Sequence, residues 1–199
     1  MAKANKRPLS NTVRIIGGKY RGRKLAFPDV SGLRPSTDRV RETVFNWLQS
    51  AVPAANCLDL FCGSGVLGLE SLSRGAKRVQ FVDREKSVCK QIEENFQILE
   101  VDNANVFCGT ADQFLSTSKI RFDIVFLDPP FQQSLLQEVC DQLEASGVLA
   151  AKALIYLEAE FPLDMVVLPD SWTMTRSKKA GAVYYGLVER IVGQESVRE

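Results

Sequence analysis

The stretch that decides the fold is a short apolar segment that runs into a glycine turn: Asp59-Leu60-Phe61-Cys62-Gly63-Ser64-Gly65-Val66-Leu67-Gly68. Its pattern predicts a strand over residues 57–62 and a helix over 66–74 that Gly75 closes. Gly63 and Gly65 permit positive φ and a close approach of the backbone to a ligand, at which the helix directs its free N–H groups. The stretch therefore predicts a cofactor loop, although its G-x-G-x-x-G spacing also suits NAD.

Strands and helices alternate on the carboxyl side of this loop. Further strands are predicted over 78–83, 104–109, 122–128, 153–158, 165–168 and 183–191, and helices over 85–99 and 135–145. Apolar strands separated by helices are typical of a parallel sheet that is covered on both faces. The fold expected for residues 53–192 is therefore an open α/β sheet of seven mostly parallel strands.

The segment before the sheet has a different composition. We expect a basic, disordered tail over residues 1–12, and a small β-hairpin from residues 13–17 and 23–27 around a glycine-rich turn. A helix capped by Ser36 or Thr37 follows and ends at Pro53. Residues 13–52 thus form an N-terminal extension, and residues 193–199 a polar C-terminal tail.

Composition narrows the classes of function. The 199 residues contain no histidine, which excludes an imidazole base and a His-ligated metal. The five cysteines lack metal-ligand spacing, so no metal is expected. No apolar run is long enough to span a membrane, and residues 1–7 lack the apolar stretch of a secretory signal, which predicts a cytoplasmic protein.

Charge is distributed unevenly along the chain. Residues 1–50 carry a net charge of +8 and the remainder −7, for an overall +1. This uneven distribution of charge favours a positive patch that binds a polyanion. The alternative is a basic arm that only increases solubility.

Acidic residues follow the first three strands of the predicted sheet. Asp59 precedes the glycine turn, where its carboxylate suits a ligand's ammonium group; Asp83 is placed for ribose hydroxyls, and Asp112 for an adenine amino group. Ligands bind outside the carboxyl ends of such strands, so the three acids together predict an adenosine cofactor.

The fourth strand ends in Asp128-Pro129-Pro130-Phe131. Two prolines end the strand and leave the Pro129 carbonyl beside the Asp128 carboxylate. Two acceptors next to a ring suit the exocyclic amine of a base: accepting both hydrogens restores lone-pair density on nitrogen, and Phe131 stacks on the base. The catalytic residues predicted are these four.

These motifs resemble, in order, those of class I S-adenosylmethionine methyltransferases that act on amino groups. The segments 14–25 and 33–48 closely resemble the RsmD family, bacterial guanine-N2 methyltransferases of small-subunit (16S) ribosomal RNA, and the similarity extends from about residue 13 to Gly186. Ser36 departs from the threonine expected there but keeps the hydroxyl. The resemblance implies a Rossmann-like fold, S-adenosyl-L-methionine as cofactor, and the assembling or assembled small ribosomal subunit as partner of a monomeric enzyme.

The resemblance also implies roles for individual residues. The glycine loop and Asp59 would bind the methionine half, and the segment 36–42 would cover the cofactor. The predicted cofactor-binding residues are Ser36, Thr37, Arg41, Glu42, Asp59, Phe61, Gly63, Ser64, Gly65, Asp83, Arg84 and Asp112. The predicted RNA-binding residues are Lys19, Arg21, Arg23, Lys24, Arg34 and Arg39.

Three alternatives stay open on the sequence. A DNA adenine-N6 or cytosine-N4 methyltransferase uses the same tetrapeptide, an NAD-dependent oxidoreductase shares the glycine spacing, and a non-catalytic RNA-binding assembly factor would retain the basic segment. Lys178, Lys179 and the Tyr184-Tyr185 pair suit RNA contact about as well as a basic loop beside an apolar strand.

Overall fold

The computed structural model describes residues 11–30, 35–130 and 133–192. Helices and strands alternate as expected. The elements are β1 (Asn11–Arg14), β2 (Lys24–Phe27), α1 (Asp38–Trp47), β3 (Asn56–Asp59), α2 (Val66–Ser73), β4 (Arg78–Asp83), α3 (Lys86–Leu99), β5 (Ala104–Cys108), α4 (Ala111–Thr117), β6 (Phe122–Leu127), α5 (Gln133–Ala145), β7 (Leu149–Ala159), a 3-10 turn (Leu163–Met165), β8 (Trp172–Ala180) and β9 (Val183–Ile191).

Seven strands form one sheet in the order β5-β4-β3-β6-β7-β9-β8. Strands β3 to β7 are parallel, whereas β9 runs antiparallel to both β7 and β8. We call the end of the sheet where β3 to β7 finish the carboxyl edge, and the opposite end the amino edge. The predicted open α/β sheet is confirmed, with β9 as its reversed strand.

The N-terminal extension shares the core of the sheet domain. Strands β1 and β2 pair antiparallel, and their apolar residues Val13, Ile15, Leu25 and Phe27 are buried in one cluster with residues of α2 and α3. Burying four such side chains contributes several kcal/mol, on the order of 2 kcal/mol each. The hairpin is therefore fixed to the sheet domain by hydrophobic packing.

A buried ion network attaches the extension a second time. Glu70 of α2 is fully buried and accepts hydrogen bonds from the backbone N–H of Ile16 and from the Arg74 guanidinium. The Arg41 guanidinium lies 3.6 Å from the same carboxylate and donates to the backbone carbonyls of Arg14 and Ser36. Every member is paired, as burial of charge requires.

The structure corrects several of the predicted elements. Helix α1 ends at Trp47, with Leu48 as its C-cap, and does not continue to Pro53. Residues 165–168 are not a strand. The strand in this part of the chain is β8, which pairs with β9 and runs in the same direction as β7. Its exposed threonines, serine and lysines gave no apolar signal.

Helix α4 was not predicted, although Thr110 and Gln113 form a capping box at its start. Asn11 and Thr12 belong to β1, so the expected tail is two residues too long, and its remainder lies outside the described residues.

Candidate functional site

The glycine turn after β3 has the backbone that its sequence predicts. Gly63 has φ 49° and Gly65 φ 70°, in the left-handed region that favours glycine. A Cβ on Gly65 would overlap the Ile92 side chain, and one on Gly68 would overlap the Phe81 ring. The first two glycines therefore shape the turn, and the third allows α2 to pack closely on β4.

A cavity of about 750 Å³ lies beside this turn at the carboxyl edge. That volume is typical of a pocket for a ligand the size of a nucleoside derivative. The cavity brings together the four acids that the sequence singled out. The predicted residues that line it are Ser36, Asp59, Phe61, Gly63, Ser64, Asp83, Arg84, Asp112, Asp128, Pro129 and Pro130.

Asp83 supports the glycine turn from the end of β4. Its two carboxylate oxygens accept from the backbone N–H groups of Gly63 and Glu85, each at 2.9 Å. Each oxygen retains a lone pair for a hydroxyl of a ligand. Asp112 lies farther along the same wall, exposed in the first turn of α4.

Asp59 is a buried acid under the middle of the cavity. Its side chain accepts from the Gly68 N–H at 2.9 Å. Burial raises the pKa of Asp59 to about 7; the Gly68 hydrogen bond opposes this shift and the negative charge of Asp83 adds to it. A ligand's positive group placed here would be paired with a carboxylate that has little solvation of its own.

Asp128 follows β6, the strand that pairs with β3, and it also lines the cavity. Burial raises its pKa well above the usual range, and the charges of Glu158 and, less, Asp59 raise it further. Pro129 is buried and Pro130 exposed. Phe131 lies outside the described residues, so its predicted stacking role stays a prediction.

Glu158 is a site residue that the sequence reasoning missed. It lies near the end of β7 and is 5% exposed. Its Oε2 accepts from the Tyr156 hydroxyl at 2.6 Å and from the Ser36 hydroxyl at 2.9 Å. An acid at the carboxyl end of an apolar strand was the available signal, the same one that marked Asp83 and Asp128.

Part of the segment 36–42 does not line the cavity. Thr37 caps α1, accepting from the Val40 N–H, and Glu42 is exposed on that helix. Arg41 is turned away into the buried network with Glu70, because a guanidinium there completes the hydrogen bonding of two carbonyls. Ser36 alone of the four predicted residues contacts the cavity, so direct cofactor contacts of Thr37, Arg41 and Glu42 are not supported.

The cations predicted to bind RNA are spread over both edges of the sheet. The hairpin turn docks on the amino edge, where the Lys19 N–H donates to Ser73 at the end of α2 and the Arg23 guanidinium to Ile98 near the end of α3. Lys24 of β2 is the register partner of Arg14 of β1 in the hairpin. Arg39 is exposed in the first turn of α1. Arg34 lies outside the described residues.

The Cys62 thiol of the glycine turn is buried, in an environment that disfavours its thiolate. Burial raises its pKa well above the usual range, and the charges of Asp59 and Asp83 raise it further. Because the thiolate is the reactive form, Cys62 is a packing residue. Among the described residues, no group of three or more Cys, Asp or Glu side chains is arranged to hold a metal ion.

Comparisons with known proteins agree with this geometry. A family model described as conserved hypothetical protein 95 matches residues 13–189. The ribosomal RNA small subunit methyltransferase D of Escherichia coli (strain K12) is 46% identical over 187 residues, covering 94% of this chain and 94% of that protein. The solved structure of the methyltransferase yhhF from Escherichia coli has a TM-score of 0.85 at 46% identity, over 91% of this chain and 99% of that chain.

A more distant structure shares the fold. The methyltransferase SMU.776, which was solved in complex with SAH, has a TM-score of 0.71 at 13% identity, over 94% of this chain and 58% of that chain. The fold around the cavity is therefore that of methyltransferases.

Proposed function

The chain belongs to the family of this model, the RsmD family of ribosomal RNA methyltransferases, and we propose that it transfers a methyl group from S-adenosyl-L-methionine to N2 of one guanine in 16S ribosomal RNA. One observation carries this function: Asp128, Pro129 and Pro130 lie on the wall of the same cavity as the glycine turn, Asp59 and Asp83. An amine gripped by the first group is thereby next to a cofactor held by the second.

The residues present fit S-adenosylmethionine. Asp59 is buried without a described ion-pair partner, a position that an ammonium group would satisfy. Asp83 offers acceptors for ribose hydroxyls, and Asp112 for the adenine amine. NAD carries no aliphatic ammonium group, so Asp59 favours S-adenosylmethionine over a nicotinamide cofactor.

The cofactor supplies an electrophilic methyl group, and the chain supplies acceptors for the attacking amine. Asp128 and the Pro129 carbonyl accept the two N–H hydrogens of guanine N2, which restores the lone pair that the base ring withdraws. As the N–C bond forms and the methyl–sulfur bond breaks, with S-adenosylhomocysteine as the leaving group, nitrogen would gain positive charge and then lose one proton. The raised pKa of Asp128 makes its carboxylate, in the ionised enzyme, a stronger base for that proton than an ordinary aspartate.

Substitution of Asp128 tests this assignment. Asp128→Ala is expected to lower kcat at least about 100-fold, because an acceptor made for the transition state is lost. Binding of S-adenosylhomocysteine, measured by calorimetry, should stay within a few-fold. Asp170→Ala, at an exposed acid before β8, is the matched control and should leave both quantities unchanged. Turnover of Asp128→Ala at the wild-type rate would refute the role of the tetrapeptide.

The methylated nucleotide decides between the proposed substrate and DNA. Small subunits and genomic DNA from a strain lacking the gene are incubated with enzyme and labelled cofactor, and nucleosides are identified by mass spectrometry. We expect N2-methylguanosine at one position of 16S RNA. A label on DNA adenine or cytosine would establish the DNA enzyme instead, and no label on either would favour an assembly factor.

The setting proposed for this reaction is the cytoplasm, with the enzyme acting as a monomer on the small ribosomal subunit. In the parts of the chain that the structure describes, no helix has the length and apolar character needed to cross a membrane. Light scattering of the purified protein tests the monomer.

A further inference from the structure

The turn between β8 and β9 lies at the carboxyl edge, beside the end of β7. Ala159 is the register partner of Tyr184, which also pairs with Lys179, and Glu158 is the partner of Tyr185, which also pairs with Lys178. Strand β8 thus brings two lysines to the same edge of the sheet as Asp128 and Glu158. The sequence did not predict this strand, and it left RNA contact by Lys178 and Lys179 open against a basic loop without a role.

The lysines at this turn are exposed but ordered by aromatic rings. The Lys179 ammonium donates to the Tyr184 hydroxyl at 2.7 Å and lies 4.4 Å from the centre of its ring. Lys178 lies over Trp47 at 5.9 Å, and Trp47 stacks on Tyr185 at 5.7 Å. Rings of this kind attract a cation and reduce the entropy lost when the side chain binds.

Arg176 extends the positive surface along β8. None of the ion pairs found among the described residues involves Arg176, Lys178 or Lys179. Consecutive residues of a strand point to opposite faces, so Lys178 and Lys179 present cations on both sides of the sheet. Glu160 and Asp164 are the exposed acids on the neighbouring segment.

The two ends of the carboxyl edge differ in charge. Beside β4 and β5, the acids Asp83, Glu85 and Asp112 outnumber the cations Arg84 and Lys86. At the other end, three cations of β8 face two acids. A polyanion that approaches Asp128 is therefore repelled at the cofactor end and attracted at the β8 end.

We propose that Arg176, Lys178 and Lys179 bind the RNA phosphates that flank the target nucleotide. Three strand spacings separate β6 from β8 in the sheet order, about 14 Å at roughly 4.8 Å each. A nucleotide whose base reaches Asp128 thus has its neighbouring backbone within reach of the edge strand. The inference rests on the proposed function and names the surface on which its RNA substrate docks.

A double substitution tests the surface. K178Q/K179Q keeps the side-chain length and removes two charges; its KM for the RNA substrate is expected to rise at least about 10-fold at physiological salt, with kcat within two-fold. Each phosphate contact contributes about 0.7 to 0.9 to the slope of log affinity against log salt, so the slope should fall by between one and two. S-adenosylhomocysteine affinity should not change.

The matched control removes two charges elsewhere. Lys90 on α3 and Lys119 before β6 are exposed, and K90Q/K119Q should retain the wild-type KM and salt slope. R176Q alone should change both in the same direction as K178Q/K179Q, but less. If K178Q/K179Q fails to fold, as judged by lost S-adenosylhomocysteine binding, R176Q and the charge-preserving K178R/K179R decide the outcome.

The possible failures are distinguishable. If the wild-type enzyme methylates RNA and K178Q/K179Q has the wild-type KM and salt slope, the proposed RNA contact of β8 is wrong but the proposed function is not. Wild-type enzyme that methylates no RNA would overturn the function itself. A variant that loses affinity for subunit particles but not for protein-free RNA would assign the surface to a ribosomal protein and overturn the RNA contact.

Discussion

The two halves of the carboxyl edge hold their acids in different ways. In the cofactor half, built on β3, β4 and β5, the carboxylates of Asp59 and Asp83 accept from backbone N–H groups of the glycine turn and its surroundings. In the substrate half, built on β6, β7, β9 and β8, Glu158 accepts from the hydroxyls of Ser36 and Tyr156. One half is fixed by the local course of the backbone, the other by side chains that distant segments provide.

This difference has an electrostatic consequence. Asp59 titrates near neutrality chiefly because it is buried, with Gly68 as an opposing hydrogen bond. The pKa of Asp128 is raised by burial and further by the charge of Glu158, and burial also raises the pKa of Glu158 itself. A cation that enters the cofactor half stabilises the negative charge of Asp59. The charge of Asp128 is reduced by sharing a proton with Glu158, or it is stabilised by hydrogen-bond donors from a substrate.

Among the carboxylate-to-amide substitutions that compare the two halves, the largest effect is expected in the cofactor half. Asp59→Asn keeps an oxygen for the Gly68 N–H but removes the charge opposite the ammonium group, so affinity for S-adenosylhomocysteine at pH 8 should fall about 10- to 100-fold, since a hydrogen bond to a charged group contributes about 1.5 to 3 kcal/mol. Calorimetry measures the affinity. Asp102→Asn, at an exposed acid before β5, is the control.

The pH dependence of the same binding gives an independent reading. The pKa of Asp59 is about 7 in the free protein, so below pH 7 the carboxyl is protonated and must release its proton to pair with a cation. Wild-type affinity should therefore rise as pH increases towards 7 and level off above it, and Asp59→Asn should lose this dependence. An unchanged pH profile in the variant would place the ammonium elsewhere.

A smaller effect is expected in the substrate half. Glu158→Gln keeps an oxygen for the two hydroxyls but removes a negative charge that raises the pKa of Asp128. With that charge gone, the pKa of Asp128 falls, and the acidic limb of the kcat–pH profile should move to lower pH. We expect kcat at the optimum to drop about 10-fold, which is less than the roughly 100- to 10,000-fold contribution of general acid–base catalysis as a whole, because Asp128 is still present as the base.

The control for Glu158→Gln is an exposed glutamate of the neighbouring segment. Glu160→Gln, two residues farther along and exposed, should leave the pH profile in place. A Glu158→Gln enzyme with reduced kcat but an unmoved acidic limb would mean that Glu158 supports Ser36 structurally without acting on Asp128.

The same contrast explains what the sequence predicted of the site. The glycine turn, Asp59 and Asp83 interact within about 25 residues of one another, so strand, turn and helix signals were enough to assemble them. The Ser36–Glu158 hydrogen bond joins residues 122 positions apart. No local pattern reports such a contact, and Glu158 was missed although its strand was predicted.

Tertiary contacts are also invisible to local patterns. Arg41 has the charge expected of a ligand-binding residue, but its guanidinium binds the Asp38 carboxylate and two backbone carbonyls and lies 3.6 Å from the buried Glu70 carboxylate, so its predicted cofactor contact stays a prediction. Strand β8 forms because β9 supplies hydrogen-bond partners, although its largely exposed side chains show none of the apolar alternation by which strands are predicted.

The smallest effect is expected at the amino edge, where the hairpin turn lies. Lys19 and Arg21 are exposed there, and the turn is hydrogen-bonded to the end of α2, far along the sheet from Asp128. We propose that these cations contact RNA remote from the target nucleotide. Lys19→Gln with Arg21→Gln should raise KM about two- to five-fold for whole subunits, through one or two lost phosphate contacts, and leave KM unchanged for a short RNA that contains the target guanine. K178Q/K179Q should raise KM for both substrates. If the hairpin variant impaired the short RNA as strongly as the β8 variant, the RNA would have to span from the carboxyl to the amino edge, and the two surfaces would form one binding site.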